Sequence, residues 1–257
     1  MNTRRGILPG SIVISITILL AGCATRFGGM TVTDAFPDER VSGLVLAVCW
    51  GNFTEADREL KAGADINKVG REGISPLIWV MVTTKNASKM EYMLTHGANP
   101  NYRGGQAGAS AMYFAAGGDR PDLLKLLLEH GGDPDLAVPH GYTPLGIAVL
   151  QRRFENIKLL IEHGADMRYS TLPKAESVAN TAAGQGRFDY VAYFLEKGLD
   201  HNLPDLAKDV YIRHVPPNSD AQRWKDKVIE MLKARGVKYP PDFPATSPFH
   251  TPKTTSQ

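Results

Sequence analysis

The chain has 257 residues, 43% of them hydrophobic and 22% charged, enough for one or two folded domains with a sizeable core. Its 29 basic and 27 acidic side chains differ by two, and Arg4 and Arg5, in an acid-free first stretch, account for both. The remainder balances at 29 − 2 = 27 against 27, so no general attraction to nucleic acid exists, because such binding rests on neutralising phosphates.

Residues 1–22 read MNTRRG and then an apolar run from Ile7 to Leu20, broken by Pro9, Gly10 and a few hydroxyls. A positive start before a short apolar run is the pattern of a signal peptide, too short and interrupted for a spanning helix. LAGC follows directly, Leu20 to Cys23, and resembles the lipobox of bacterial lipoproteins. The resemblance implies cleavage before Cys23, a diacylglyceryl group on its sulfur, and a membrane partner reached through that lipid anchor (palmitate-type acyl chains). Buried acyl chains contribute ~0.8 kcal/mol per CH2, so several hold far more firmly than one. Ala24 rather than Asp follows the cysteine; in lipoproteins of diderm bacteria this implies the outer membrane, with the body facing the periplasm. Residues 3–8 also resemble a twin-arginine export signal, although the strongly apolar run suits the general secretory route better. Residues 23–41 are then expected to form a tether. Cys49, the second of two cysteines, is left without an intramolecular partner and is expected to be a buried structural thiol.

From residue 42 the chain repeats itself. KAGAD, THGAN, EHGGD, EHGAD and EKGLD place a glycine at 63, 97, 131, 164 and 198, with intervals of 34, 34, 33 and 34. A second landmark begins at Ser42, Ser75, Ser110, Thr143 and Ser177, with intervals of 33, 35, 33 and 34. Two landmarks in phase over five units define stacked structural repeats. Each Ser or Thr is placed to cap a first helix, with Pro76 and Pro144 at the first helical position. The second helices share a seam of Met90, Leu124, Ile157 and Val191, with Met93, Leu127, Leu160 and Phe194 three residues later. Ala56 and Glu59 stand there in the first unit, a more polar face suited to the end of a stack. Each second helix is expected to stop at its glycine in the left-handed conformation. His96, His130 and His163 precede three of those glycines, where a basic group suits the negative end of the helix dipole. Successive helices lie ~8–10 Å apart, too far for these imidazoles to share one ion at about 2 Å, so no metal or other cofactor is expected.

Period and wording resemble the ankyrin repeat, over residues 42–202. The resemblance implies an all-α solenoid of about five helix-turn-helix repeats. Residues 203–239 read as a degenerate capping repeat, with Ile229 and Leu232 at the seam, Gly236 as its stop and an insertion near HVPPNS. Residues 240–257, rich in proline and hydroxyls, are expected to be a disordered tail.

The usual catalytic signatures, G-x-S-x-G, a Walker loop, C-x-x-C and H-E-x-x-H, do not occur. Gly104-Gly105 and Gly117-Gly118 suit sharp turns, and Glu55 and Glu59 a solvated helix face. The family resemblance therefore implies a non-catalytic module that grips another protein with its fingertip turns and first helices. Carried over, the fingertips are residues 69–72, 102–107, 138–140 and 169–174. The candidate partner-binding residues are Trp50, Arg71, Tyr102, Arg103, His140, Tyr142, Leu150, Gln151, Lys174 and Gln185. Trp50 is the foremost, since the family usually places a polar residue there and tryptophan is enriched at binding hot spots; the alternative is that it packs under the tether. Among anchored periplasmic ankyrin proteins, the resemblance suggests an immunity-type inhibitor of a secreted antibacterial toxin such as a phospholipase. The alternatives are a helper protecting a periplasmic enzyme such as catalase, or a structural envelope protein.

Overall fold

The computed structural model describes residues 26, 27, 29–104, 108–139, 141–171, 176–243 and 248. The signal segment, Cys23, His140, Lys174 and most of the tail lie outside the described residues. Strands β1 (Arg26–Phe27) and β2 (Met30–Thr31) pair antiparallel and lead into a short helix, α1 (Val32–Ala35). Helix pairs follow: α2 (Glu39–Trp50) with α3 (Phe53–Lys61), α4 (Pro76–Thr84) with α5 (Ala87–Thr95), and α6 (Ala111–Gly117) with α7 (Pro121–Glu129). The series continues with α8 (Pro144–Leu150) and α9 (Phe154–Glu162), α10 (Val178–Gly184) and α11 (Phe188–Glu196), then α12 (Leu203–Ile212) and α13 (Asp220–Ala234). The first helices touch one another in chain order from α2 to α12, and behind them α5, α7 and α9, then α11 and α13, form a second layer. This is the expected all-α ankyrin-repeat solenoid.

The local causes are those of the sequence pattern. Ser75, Ser110, Thr143 and Ser177 each accept from the backbone N–H three residues on, at 3.3, 3.1, 2.9 and 3.2 Å. Pro76 and Pro144 open their helices, where the missing donor is no loss. All eight seam residues from Met90 to Phe194 are buried. The five repeat glycines and Gly236 take φ between 78° and 98°, the left-handed region where a side chain is strained. Gly104, in a two-stranded fingertip formed by β3 (Arg103–Gly104) and β4 (Ala109–Ser110), serves differently: a Cβ there would lie 2.1 Å from the Gly73 carbonyl oxygen.

Four expectations change at the ends of the stack. Ser42 does not cap α2; the helix starts at Glu39, and the Asp38 carboxylate accepts from the N–H groups of Arg40 and Val41. Residues 26–41 are not a free tether. Val32, Ala35 and Phe36 are buried, α1 packs on the 3-10 turn Arg71–Gly73, and the Phe36 ring meets Trp79 edge-on at 5.9 Å. At the other end the buried pair of α13 is Val228 and Leu232, while Ile229 is half-exposed, because no helix stacks beyond it. The insertion does fall at residues 213–219, between α12 and α13. The start of the expected tail packs too: the Phe243 ring lies 5.6 Å from that of Tyr211.

Candidate protein-interaction surface

The first helices run between two rims. Their N-terminal ends carry the fingertips and their C-terminal ends carry the turns into the second helices, about 10–14 Å away at 1.5 Å per residue. This division sorts the candidate residues. Trp50, Leu150, Gln151 and Gln185 stand at the C-terminal ends of α2, α8 and α10. Arg71, Tyr102, Arg103 and Tyr142 stand on the fingertip rim. The two groups therefore do not merge into one patch around Trp50. Tyr142 is half-buried on the core and pairs its backbone with Thr171, which makes it part of the turn. Tyr102 is likewise packed against the core, whereas Arg71 and Arg103 are exposed.

Trp50 is exposed over 59% of its surface, so it does not pack under the N-terminal segment. The neighbouring Cys49 is buried, its sulfur 3.9 Å from the Thr83 hydroxyl. Two further apolar side chains share Trp50's side of the molecule: Phe114 is 38% exposed and Leu150 36%. Phe114 is not among the candidates from sequence, although a large aromatic directly before Ala115-Ala116 was the available signal. Trp224, on the outer face of α13, is a second exposed aromatic outside the candidate residues, with the Lys227 ammonium 4.9 Å from its ring centroid.

The rim beside Trp50 is basic for a structural reason. Carbonyls at the end of a helix lack partners within it, and here the next unit supplies them. Lys89 donates to Cys49 O, Arg120 to Lys85 O, and Arg153 Nε to Gly117 O at 3.1 Å. Gln185 donates to Leu150 O at 3.3 Å, and at the end of the stack Lys225 closes α12 from within its own unit, donating to Arg213 O at 2.7 Å. The bidentate hydrogen bonds of Arg120 hold the Asp122 carboxyl below its ordinary range. In the layer of first helices, on α12, burial pushes the Asp209 carboxyl above its usual value, opposed by the Asn180 amide donating at 2.7 Å.

The histidines work as the helix ends require. Nδ1 of His96 donates to Tyr92 O and Nδ1 of His163 to Leu159 O, both at 2.8 Å. His96 Nε2 lies 3.6 Å from Asp57 and His130 Nε2 3.5 Å from Glu91, each acid belonging to the unit before. Among the described residues no three His, Cys, Asp or Glu side chains come together as a metal site. Glu55 and Glu59 flank Arg58 and form ion pairs with it. What this arrangement offers is contact chemistry: exposed aromatic and aliphatic surface beside cationic groups.

A sequence profile described as ankyrin repeats matches residues 85–171 and 121–205. The chain is 25% identical over 163 residues to a putative palmitoyltransferase of Danio rerio, covering 63% of this chain and 20% of that protein. It is 32% identical over 157 residues to a Caenorhabditis elegans homolog of transient receptor potential cation channel subfamily A member 1, 57% of this chain and 13% of that one. A putative ankyrin repeat protein of fowlpox virus is 29% identical over 130 residues, 49% of this chain and 38% of the viral one. In each case the chain spans well under half of the relative's length, so the enzymatic and channel names stay with those proteins.

Proposed function

We propose, from the premise that this chain carries ankyrin repeats, that it is a non-catalytic protein-binding module that works by surface capture. Its place is the periplasmic side of an outer membrane, held there by lipid on Cys23. Its partner is a secreted antibacterial toxin of the phospholipase kind, which it restrains as an immunity-type inhibitor. The lipobox-like LAGC and the Ala24 that follows it support the location. The single observation that supports capture is Trp50, an indole more than half exposed at the end of a helix whose inner side is buried. Tryptophan, with tyrosine and arginine, is enriched among the residues that dominate protein interfaces. A position beside the membrane also puts the inhibitor where a phospholipase acts.

Capture by the full chain from a periplasmic extract, read with Trp50→Ala in parallel, tests this reading. The expected outcome is a loss of binding of about tenfold or more, the scale of a hot-spot residue, with release from membranes in Cys23→Ser. A gene-deleted strain challenged by toxin-secreting sister cells is expected to die. Unimpaired survival together with capture of a resident enzyme turns the reading toward the protective helper.

A further inference from the structure

We propose that Asp209 makes the seating of the last unit responsive to pH: α12 and α13 dock more firmly on the fifth unit when this carboxylate takes up a proton. The inference concerns the end of the stack and is independent of what the module captures.

Helices α10 and α12 touch along a seam built mainly of apolar side chains. Val178, Ala179 and Ala182 of α10 and Leu206, Ala207 and Val210 of α12 are all fully buried. One polar line crosses this seam. The Ser177 hydroxyl, buried at the cap of α10, accepts from the Asn180 N–H and donates to Asn180 Oδ1. Asn180, itself buried, then donates through Nδ2 to Asp209 Oδ2 at 2.7 Å. An ionised carboxylate only accepts, so the amide has to turn its nitrogen toward Asp209. The same position in the other four repeats holds Val45, Ile78, Tyr113 and Gly146, so this amide-to-carboxylate contact belongs to the last junction alone.

The amide is a neutral donor, and the surrounding cations are engaged elsewhere. Lys208, next to Asp209 in sequence, is drawn to Asp205 at 2.8 Å. Helix α10 carries no charged residue. On α13, Lys225 turns to the Arg213 carbonyl, and after it Arg235 donates to the carbonyls of Met231 and Leu195. In the C-terminal segment Lys238 pairs with Asp242. Among the described residues no cation pairs with Asp209, which is half-buried. Burial raises its carboxyl above the ordinary range; the Asn180 hydrogen bond opposes the rise, Asp205 adds to it and Lys208 works against it. A carboxyl raised in this way contributes stability that is complete below its unfolded value and is lost as the pH climbs through the folded one. A proton on Oδ1 leaves Oδ2 to accept from Asn180, so uptake removes a poorly solvated charge and keeps the polar line intact.

The test compares the full chain with Asp209→Asn, which keeps the shape and an oxygen for Asn180 but carries no charge. The thermal midpoint of the variant is expected to lie about 2–4 °C above that of the unsubstituted chain at about pH 7.5. The gap is expected to narrow as the pH falls toward about 5, where the unsubstituted chain gains its own proton. Hydrogen exchange places the effect: at the higher pH the amides of α12 are expected to be about fivefold better protected in the variant. A gap that does not change with pH, a variant that melts earlier at the higher pH, or unchanged protection in α12 overturns the proposal.

Discussion

Asn156 is buried within the apolar run FENIKLLIE, eight residues before the glycine of its repeat. Its amide donates to the carbonyls of Ala115, Ala116 and Gly118 at 3.1, 2.8 and 3.1 Å, closing the end of α6. The same position holds Lys89 and Tyr190 in two other units. Lys89 donates to Cys49 O, and the Tyr190 hydroxyl donates to Arg152 O at 3.3 Å. Three different chemistries thus perform one task, ending the first helix of the unit before. Removing one member leaves buried carbonyls without donors, at about 1–3 kcal/mol. Asn156→Ala is accordingly expected to lower the unfolding free energy by that much, seen as a lower urea midpoint at unchanged slope, and an unmoved midpoint would show the bonds to be dispensable. A polar residue in a seam could be noticed in the sequence. Its partner could not, because the three residue types share no motif.

The turns that follow the repeat glycines are joined by a ladder that runs from unit to unit. Asn67 donates through its amide to Gly97 O at 2.9 Å and accepts from the Asn99 N–H at 2.8 Å. Asn101 repeats this with Gly131 O and the Asp133 N–H, at 2.8 and 2.7 Å, and Asp135 accepts from the Asp166 N–H at 2.8 Å. Within each turn the preceding Asx carboxyl or amide oxygen accepts from the N–H two residues on, as Asp65 does from Asn67 at 2.9 Å. The ladder ends at Arg168, because a guanidinium has no acceptor and turns back on Asp166 instead. Asn101→Ala removes two bonds at the exposed rim. The expected effect is local, about 1–2 kcal/mol, seen as roughly tenfold faster amide exchange at Asp133 with the core amides unaffected. The spacing that carries the ladder, an Asx at two positions after each glycine, lies in plain view in DIN, NPN and DPD. What hid it is that either Asx reads equally well as an ordinary turn residue.

Repetition made the interior of the molecule readable and left its ends obscure. Seam, caps and stops recur with the period, so five units corroborate each other. The terminal units meet chain that has no period, and there burial follows from contacts sequence alone does not announce. Phe36 illustrates this, lying in a stretch with the composition of a linker and yet fully buried against Trp79. Gly70 has to lack a side chain beside it, since a Cβ there would approach the ring to 2.8 Å. Phe36→Ala is expected to destabilise the protein by about 3–5 kcal/mol and, because a stacked array unfolds from its weaker end, to broaden the thermal transition. A sharp transition at the original temperature would deny the segment any part in the fold. The docking of this segment also bears on how an anchored protein would sit. From Arg26 back to Cys23 there are only three residues, a reach of about 10 Å at ~3.3 Å each. A lipid on Cys23 would therefore moor the first repeat almost at the headgroups, within about a Debye length of the bilayer's own charge. The module would meet its partner from a fixed stance, like a hook screwed to a wall, with no slack to swing out into the surrounding space.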